Sequence, residues 1–138
     1  MATGTHFVTP NGLHDEDHYT TAYDMYLIFN EAVKYDEFVD IISADSYTAQ
    51  ITSADGAVRS VTWKPTSFYA RGEAALPTGA TVIGGKTGYT GEAGNCLVLL
   101  DQAADGDYYI SIVMGAADKP LLYQDMTALI DQIPSLEG

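Results

Sequence analysis

The residues with the clearest chemical potential are Lys86, Thr87 and Gly88, set in the glycine-rich run Val82-Ile83-Gly84-Gly85-Lys86-Thr87-Gly88-Tyr89-Thr90. A lysine on a strand offers a fixed cation to an anionic group, and a neighbouring hydroxyl adds a donor beside it. The glycine that follows removes a side chain, so an extended peptide can lie against the backbone. A phosphate-binding loop would need a glycine, four residues and then Gly-Lys-Ser/Thr. Counting back from Lys86, that first glycine falls on Ala80, so phosphate binding is not expected.

His14-Asp15-Glu16-Asp17-His18 is a second cluster of potential ligands. It precedes a helix start, so its histidines are not fixed at helical spacing, and it lacks the alternating oxygens and turn glycine of a calcium loop. Carboxylates before a helix N-terminus also suit its dipole, and the segment reads as a solvated approach to the helix, with no metal site expected. Cys96, the single cysteine, excludes an internal disulfide and any cysteine-based zinc site. Its run, Asn95-Cys96-Leu97-Val98-Leu99-Leu100, predicts a small buried hydrophobe. Ser67, Ser111 and Ser135 lie outside any Gly-x-Ser-x-Gly elbow, and all three histidines fall within the first 18 residues, so a serine triad has no support.

These groups must be positioned by a chain of 138 residues with 19 acidic and 6 basic side chains, a formal charge of −13. That length suits one domain, expected to span 1–138, and 46% hydrophobic content is too high for a disordered acidic tail. Six scattered cations cannot track a phosphate backbone or an anionic membrane, so neutral or peptide-like partners are expected, with no nucleic acid and no cofactor. Met1 to His6 has neither a basic nor an apolar signal region, and no stretch approaches the length of a membrane span; the chain as given is expected to be cytoplasmic.

The elements read as follows. His6-Phe7-Val8 is extended and Pro10-Asn11-Gly12 turns the chain. Thr21-Ala22-Tyr23-Asp24 fits a capping box for a helix running to about Tyr35, with Ala22, Met25, Phe29, Ala32 and Val33 on its apolar face. Asp36 is expected to cap a short second helix bearing Phe38, Val39, Ile41 and Ile42. From Ser46 the period is two, and Asp55-Gly56 turns a hairpin that ends at Trp63. Thr66 to Gly79 reads as a long surface loop. Three strands follow, about Thr81–Thr87, Asn95–Gln102 and Tyr108–Met114, the last two joined by the Ala104-Asp105-Gly106 turn. Asp118 caps a final helix with Pro120 in its first turn and a stripe of Leu122, Met126, Leu129, Ile130 and Ile133, stopped by Pro134. The predicted class is α+β, a small antiparallel sheet with flanking helices.

Lys86-Thr87-Gly88-Tyr89-Thr90, two residues, then Ala93-Gly94-Asn95-Cys96-Leu97-Val98 resembles a stretch of the D-alanyl-D-alanine carboxypeptidases, the low-molecular-mass penicillin-binding proteins of peptidase family S11. Thr5 to Leu13 and Tyr19 to Met25 resemble an earlier block of that family, in the right order and at a plausible separation. The resemblance implies a partial β-lactamase/transpeptidase-like fold in which Lys86, Thr87 and Gly88 dock the C-terminal carboxylate of a peptidoglycan stem peptide. It also implies that the Tyr89 backbone N–H is half of an oxyanion hole.

Acyl transfer in this family further needs a Ser-x-x-Lys nucleophile and a Ser-x-Asn group. The residues three before Lys34, Lys64, Lys86 and Lys119 are Glu31, Val61, Ile83 and Ala116, so the first motif is absent. Ser43-Ala44-Asp45 and Ser53-Ala54-Asp55 are the nearest misses to the second. In the family both motifs lie N-terminal to the block matched here, and Phe68 to Leu76 departs from the Asn-x-Asn-Leu-Leu-like stretch common before the third motif. The chain is therefore expected to be the C-terminal part of a catalytic domain. It would carry no catalytic nucleophile or base, and would act on stem peptide or β-lactam only when completed by the N-terminal part. Such a family works outside the cytoplasm. The alternative is a non-catalytic module that binds peptide or itself, with a homodimer as one form.

Overall fold

The computed structural model describes residues 1–136; the last two residues of the expected 1–138 unit lie outside them. Its centre is a three-stranded antiparallel sheet in the order β3–β4–β5, made by Thr81–Thr90, Gly94–Gln102 and Tyr108–Ala116. β1 (Tyr47–Thr52) and β2 (Val58–Trp63) form the expected hairpin as a separate sheet, with Tyr47 opposite Trp63.

β4 reads as a continuous apolar run because it is the central strand and is covered on both faces. One face carries Leu97 and Leu99, which pack with Leu122, Met126 and Ile130 of α4 (Lys119–Ile130) and with Ile133 of the following 3-10 turn. On the other face Val98 and Leu100 meet Phe29 of α1 (Ala22–Ala32) and the partly buried Phe38 and Ile42 of α2 (Asp36–Ser43). The α+β expectation holds, with helices on both faces of the sheet.

Several local expectations are corrected. The Thr21 hydroxyl does accept from Asp24 N at 3.0 Å, but the Asp24 carboxylate does not close the box. Buried at 3% exposure, it accepts instead from Gly4 N and Thr5 Oγ1, both at 2.7 Å, and ties the N-terminal segment to α1. α1 ends at Ala32, short of Tyr35, and Tyr35 rather than Asp36 is the residue before α2. His6 forms only an isolated bridge with Tyr19. Leu129 is exposed, whereas Tyr123 is the buried aromatic of α4, and Pro134 sits within the 3-10 turn. The presumed loop after β2 contains a one-turn helix, α3 (Phe68–Arg71), closed by Gly72 in the left-handed conformation.

Candidate substrate-docking site

β3 is an edge strand, and Lys86, Thr87 and Gly88 lie in its second half. A bulge between Val82 and Gly84 resets the register before that half begins, so that Lys86 opposes Val98, Thr87 opposes Leu97 and Gly88 opposes Cys96. Bulges of this kind re-aim the side chains that follow them. Gly84 is required by packing: a Cβ there would meet the Ile42 carbonyl oxygen at 2.2 Å, so only glycine lets the end of α2 close on β3. Gly88 is the opposite case. It is exposed, and a Cβ would find only Cys96 Cβ at 3.8 Å, which leaves the strand open to an incoming backbone.

The four expected site residues come together. Lys86, Thr87, Gly88 and Tyr89 line one cavity of about 570 Å³ at the end of the sheet. Thr87 Oγ1 is 2.6 Å from Thr66 Oγ1, which holds the hydroxyl on the segment following the hairpin. Lys86 Nζ donates to the Thr87 carbonyl at 2.6 Å, so the cation is folded along its own strand. The Tyr89 side chain is exposed at 69%. Cys96 also lines the cavity and is half-buried, not the core hydrophobe its apolar run predicts; its place opposite Gly88 removes the side chain that would have covered it.

The same cavity is lined by residues that the sequence did not single out. Phe68 and Arg71 come from α3, and Lys119, Leu122 and Tyr123 from α4. Phe68 stacks on Tyr123 with ring centroids 4.9 Å apart and planes 5° apart, and Phe68 N donates to Tyr123 Oη at 2.8 Å. Tyr69 completes the junction through its hydroxyl, 2.7 Å from Thr127 Oγ1 and 3.2 Å from the Tyr123 carbonyl. The only hint in the sequence was the scarcity of basic residues; nothing in the spacing of Arg71, Lys86 and Lys119 shows that they converge.

The His14–His18 segment has a structural task. His18 Nδ1 accepts from Val8 N at 3.0 Å and Thr9 N at 3.3 Å, and the His6 ring lies 2.6 Å from the Asp17 carbonyl. These bonds fold the segment back onto the N-terminal residues. No helix among the described residues is long and apolar enough to cross a membrane.

Comparison with known proteins gives the family and the fold. The sequence profile of the S11 peptidases, described as D-alanyl-D-alanine carboxypeptidase, matches residues 2–118. The chain belongs to that family. It is 28% identical over 128 residues to the D-alanyl-D-alanine carboxypeptidase of Streptomyces strain K15, covering 92% of this chain and 42% of that protein. It is 31% identical over 129 residues to D-alanyl-D-alanine carboxypeptidase DacF of Bacillus subtilis, covering 92% of this chain and 30% of that one. The crystal structure of the Streptomyces DD-transpeptidase superposes with a TM-score of 0.81 at 29% identity, over 95% of this chain and 48% of the other. A Mycobacterium tuberculosis D-alanyl-D-alanine carboxypeptidase gives 0.69 at 27% identity, over 93% and 46%. The fold is thus that of the penicillin-binding DD-peptidases, and the chain spans less than half the length of these relatives.

Proposed function

We propose that this chain forms the substrate-docking wall of a serine-type D-Ala-D-Ala carboxypeptidase acting on peptidoglycan stem peptides outside the cytoplasm. In that reaction a serine attacks the penultimate D-alanine carbonyl, terminal D-alanine leaves, and water cleaves the acyl-enzyme ester. The observation that carries the reading is the open edge of β3, where Lys86, Thr87 and an uncovered Gly88 border one cavity. The Lys86 ammonium, released from the Thr87 carbonyl, and the Thr87 hydroxyl would hold the substrate's terminal carboxylate. Gly88 would leave room for the peptide backbone, and the Tyr89 N–H would donate to the oxyanion.

The sequence contains neither Ser-x-x-Lys nor Ser-x-Asn, so the chain alone would bind without acylating. Mass spectrometry after incubation with a β-lactam is expected to show no penicilloyl adduct; a stoichiometric adduct overturns the reading. A second reading, a self-associating non-catalytic module, draws on the exposed apolar side chains Ile41, Tyr47 and Trp63, the last two stacked at 6.3 Å. The two separate when the Ser-x-x-Lys- and Ser-x-Asn-bearing half of a family member is added in trans. Restored acylation favours the first, and persistent inactivity with a dimer in sedimentation favours the second.

A further inference from the structure

The chain has six basic residues, and three of them, Arg71, Lys86 and Lys119, line the docking cavity. No carboxylate is among that cavity's described lining residues, although acidic side chains outnumber basic ones by 19 to 6. In the reading proposed above, Lys86 with Thr87 takes one substrate carboxylate. The other two cations come from different helices and converge on one ring: Lys119 Nζ is 5.2 Å and the Arg71 guanidinium carbon 6.0 Å from the Phe68 centroid. That ring is fixed by its stack on Tyr123, and the Tyr69 and Tyr123 hydroxyls lock α3 to α4, so the two charges are carried by a rigid unit.

Among the described residues, neither charge is held by a buried ion pair. Lys119 is the first residue of α4, where a cation opposes the positive end of the helix dipole, and the Asp118 carboxylate caps that turn from the preceding position, accepting from Leu121 N at 2.8 Å. Among the described residues Arg71 forms its ion pair with Glu73, and both side chains are more than 40% exposed.

We propose that Arg71 and Lys119, set on Phe68, form a second anion subsite that selects peptides carrying a negatively charged group in addition to the C-terminal carboxylate. This rests on the reading that Lys86 and Thr87 take that terminal carboxylate. The substrate class is a dianionic peptide, with its second charge on the acyl side of the scissile bond and the Phe68 and Tyr123 rings providing apolar surface beside it.

The test is calorimetric titration of the 138-residue chain with N-acetyl-Gly-D-Ala-D-Ala, which has one carboxylate, and with its N-succinyl and N-adipoyl counterparts, which have two at different reach. At least one dianionic peptide is expected to bind about fivefold tighter than the acetyl peptide, the size of one partly exposed charge pair. The advantage should disappear in Arg71→Gln with Lys119→Gln, while the acetyl peptide binds that double variant as it binds the parent, which also shows that the variant is folded. Glu73→Gln, which frees Arg71, should enlarge the advantage. Lys86→Gln should weaken all three peptides alike. Equal binding of all three to the parent chain, with Lys86→Gln still weakening each, overturns the second subsite and leaves the carboxylate reading standing. Absence of acetyl-peptide binding, or indifference to Lys86→Gln, overturns the carboxylate reading and the subsite with it.

Discussion

Asp101 is the residue whose chemistry is most at odds with its surroundings. It sits on β4 between β3 and β5, 0% exposed, and neither carboxylate oxygen has a hydrogen-bond partner. Burial pushes its pKa up to about 6, and the neighbouring Ser111 hydroxyl, outside bonding geometry, offsets only part of this. The folded value is raised above the unfolded one, so the native state holds the proton more tightly. Stability is therefore lost as pH rises from about 4 through about 6, and at pH 8 the ionised side chain costs about 3 kcal/mol. Asp131 works in the opposite direction: bonds from Thr78 and Gly79 hold its carboxyl below the usual range, so its contribution fades only at more acidic pH. Denaturant melts at pH 8 and pH 5 should show the parent chain gaining stability on acidification, and Asp101→Asn should remove most of that gain. An unchanged difference in the variant would mean that the pH response arises elsewhere.

At the scale of elements, Gly84 and Gly88, two of the three glycines of β3, have separable roles. Gly84→Ala would drive a Cβ into the Ile42 carbonyl, a backbone atom that cannot rotate away, so α2 must lift from the sheet. The expected cost is about 2 kcal/mol in a denaturant melt. Gly88→Ala would place a Cβ at ordinary contact distance from Cys96 and is expected to leave stability unchanged while weakening peptide binding. Reversal of these two outcomes would contradict the packing described for α2. The elements that sequence reasoning recovered share one property, a repeat long enough to show its period. The hairpin, with Asp55-Gly56 at its turn, and α4, with its Asp118 cap, were legible on those grounds. α3 was not, because a single turn has no period and its stabilising contacts are with Tyr123 and Thr127, more than 50 residues away. Asp24 departs from its local pattern for a related reason: the capping rule predicts a local partner, and the buried carboxylate takes Gly4 and Thr5 instead. The candidate site divides in the same way. Lys86 to Tyr89 were readable because they are contiguous, whereas Arg71 and Lys119 reach the cavity only through the α3–α4 junction.

For the whole molecule, the formal charge of −13 and the cationic cavity make opposite demands on the solvent. A net charge this large repels itself in the compact state, and added salt screens that repulsion. Melting temperature should therefore rise as sodium chloride goes from about 10 mM to about 300 mM. Binding of an anionic peptide depends on a few local cations set in a negative field, and the same salt weakens those contacts as it stabilises the fold. The affinity of N-acetyl-Gly-D-Ala-D-Ala, followed over the same range, should fall while the melting temperature climbs. A dianionic peptide should lose affinity more steeply than the acetyl peptide, because it adds contacts with Arg71 and Lys119 to the one with Lys86. Parallel slopes for the two peptides would mean that the second charge is held in solvent, remote from Phe68. A melting temperature that falls with salt would mean that specific ion pairs, such as Arg71 with Glu73, outweigh the general repulsion.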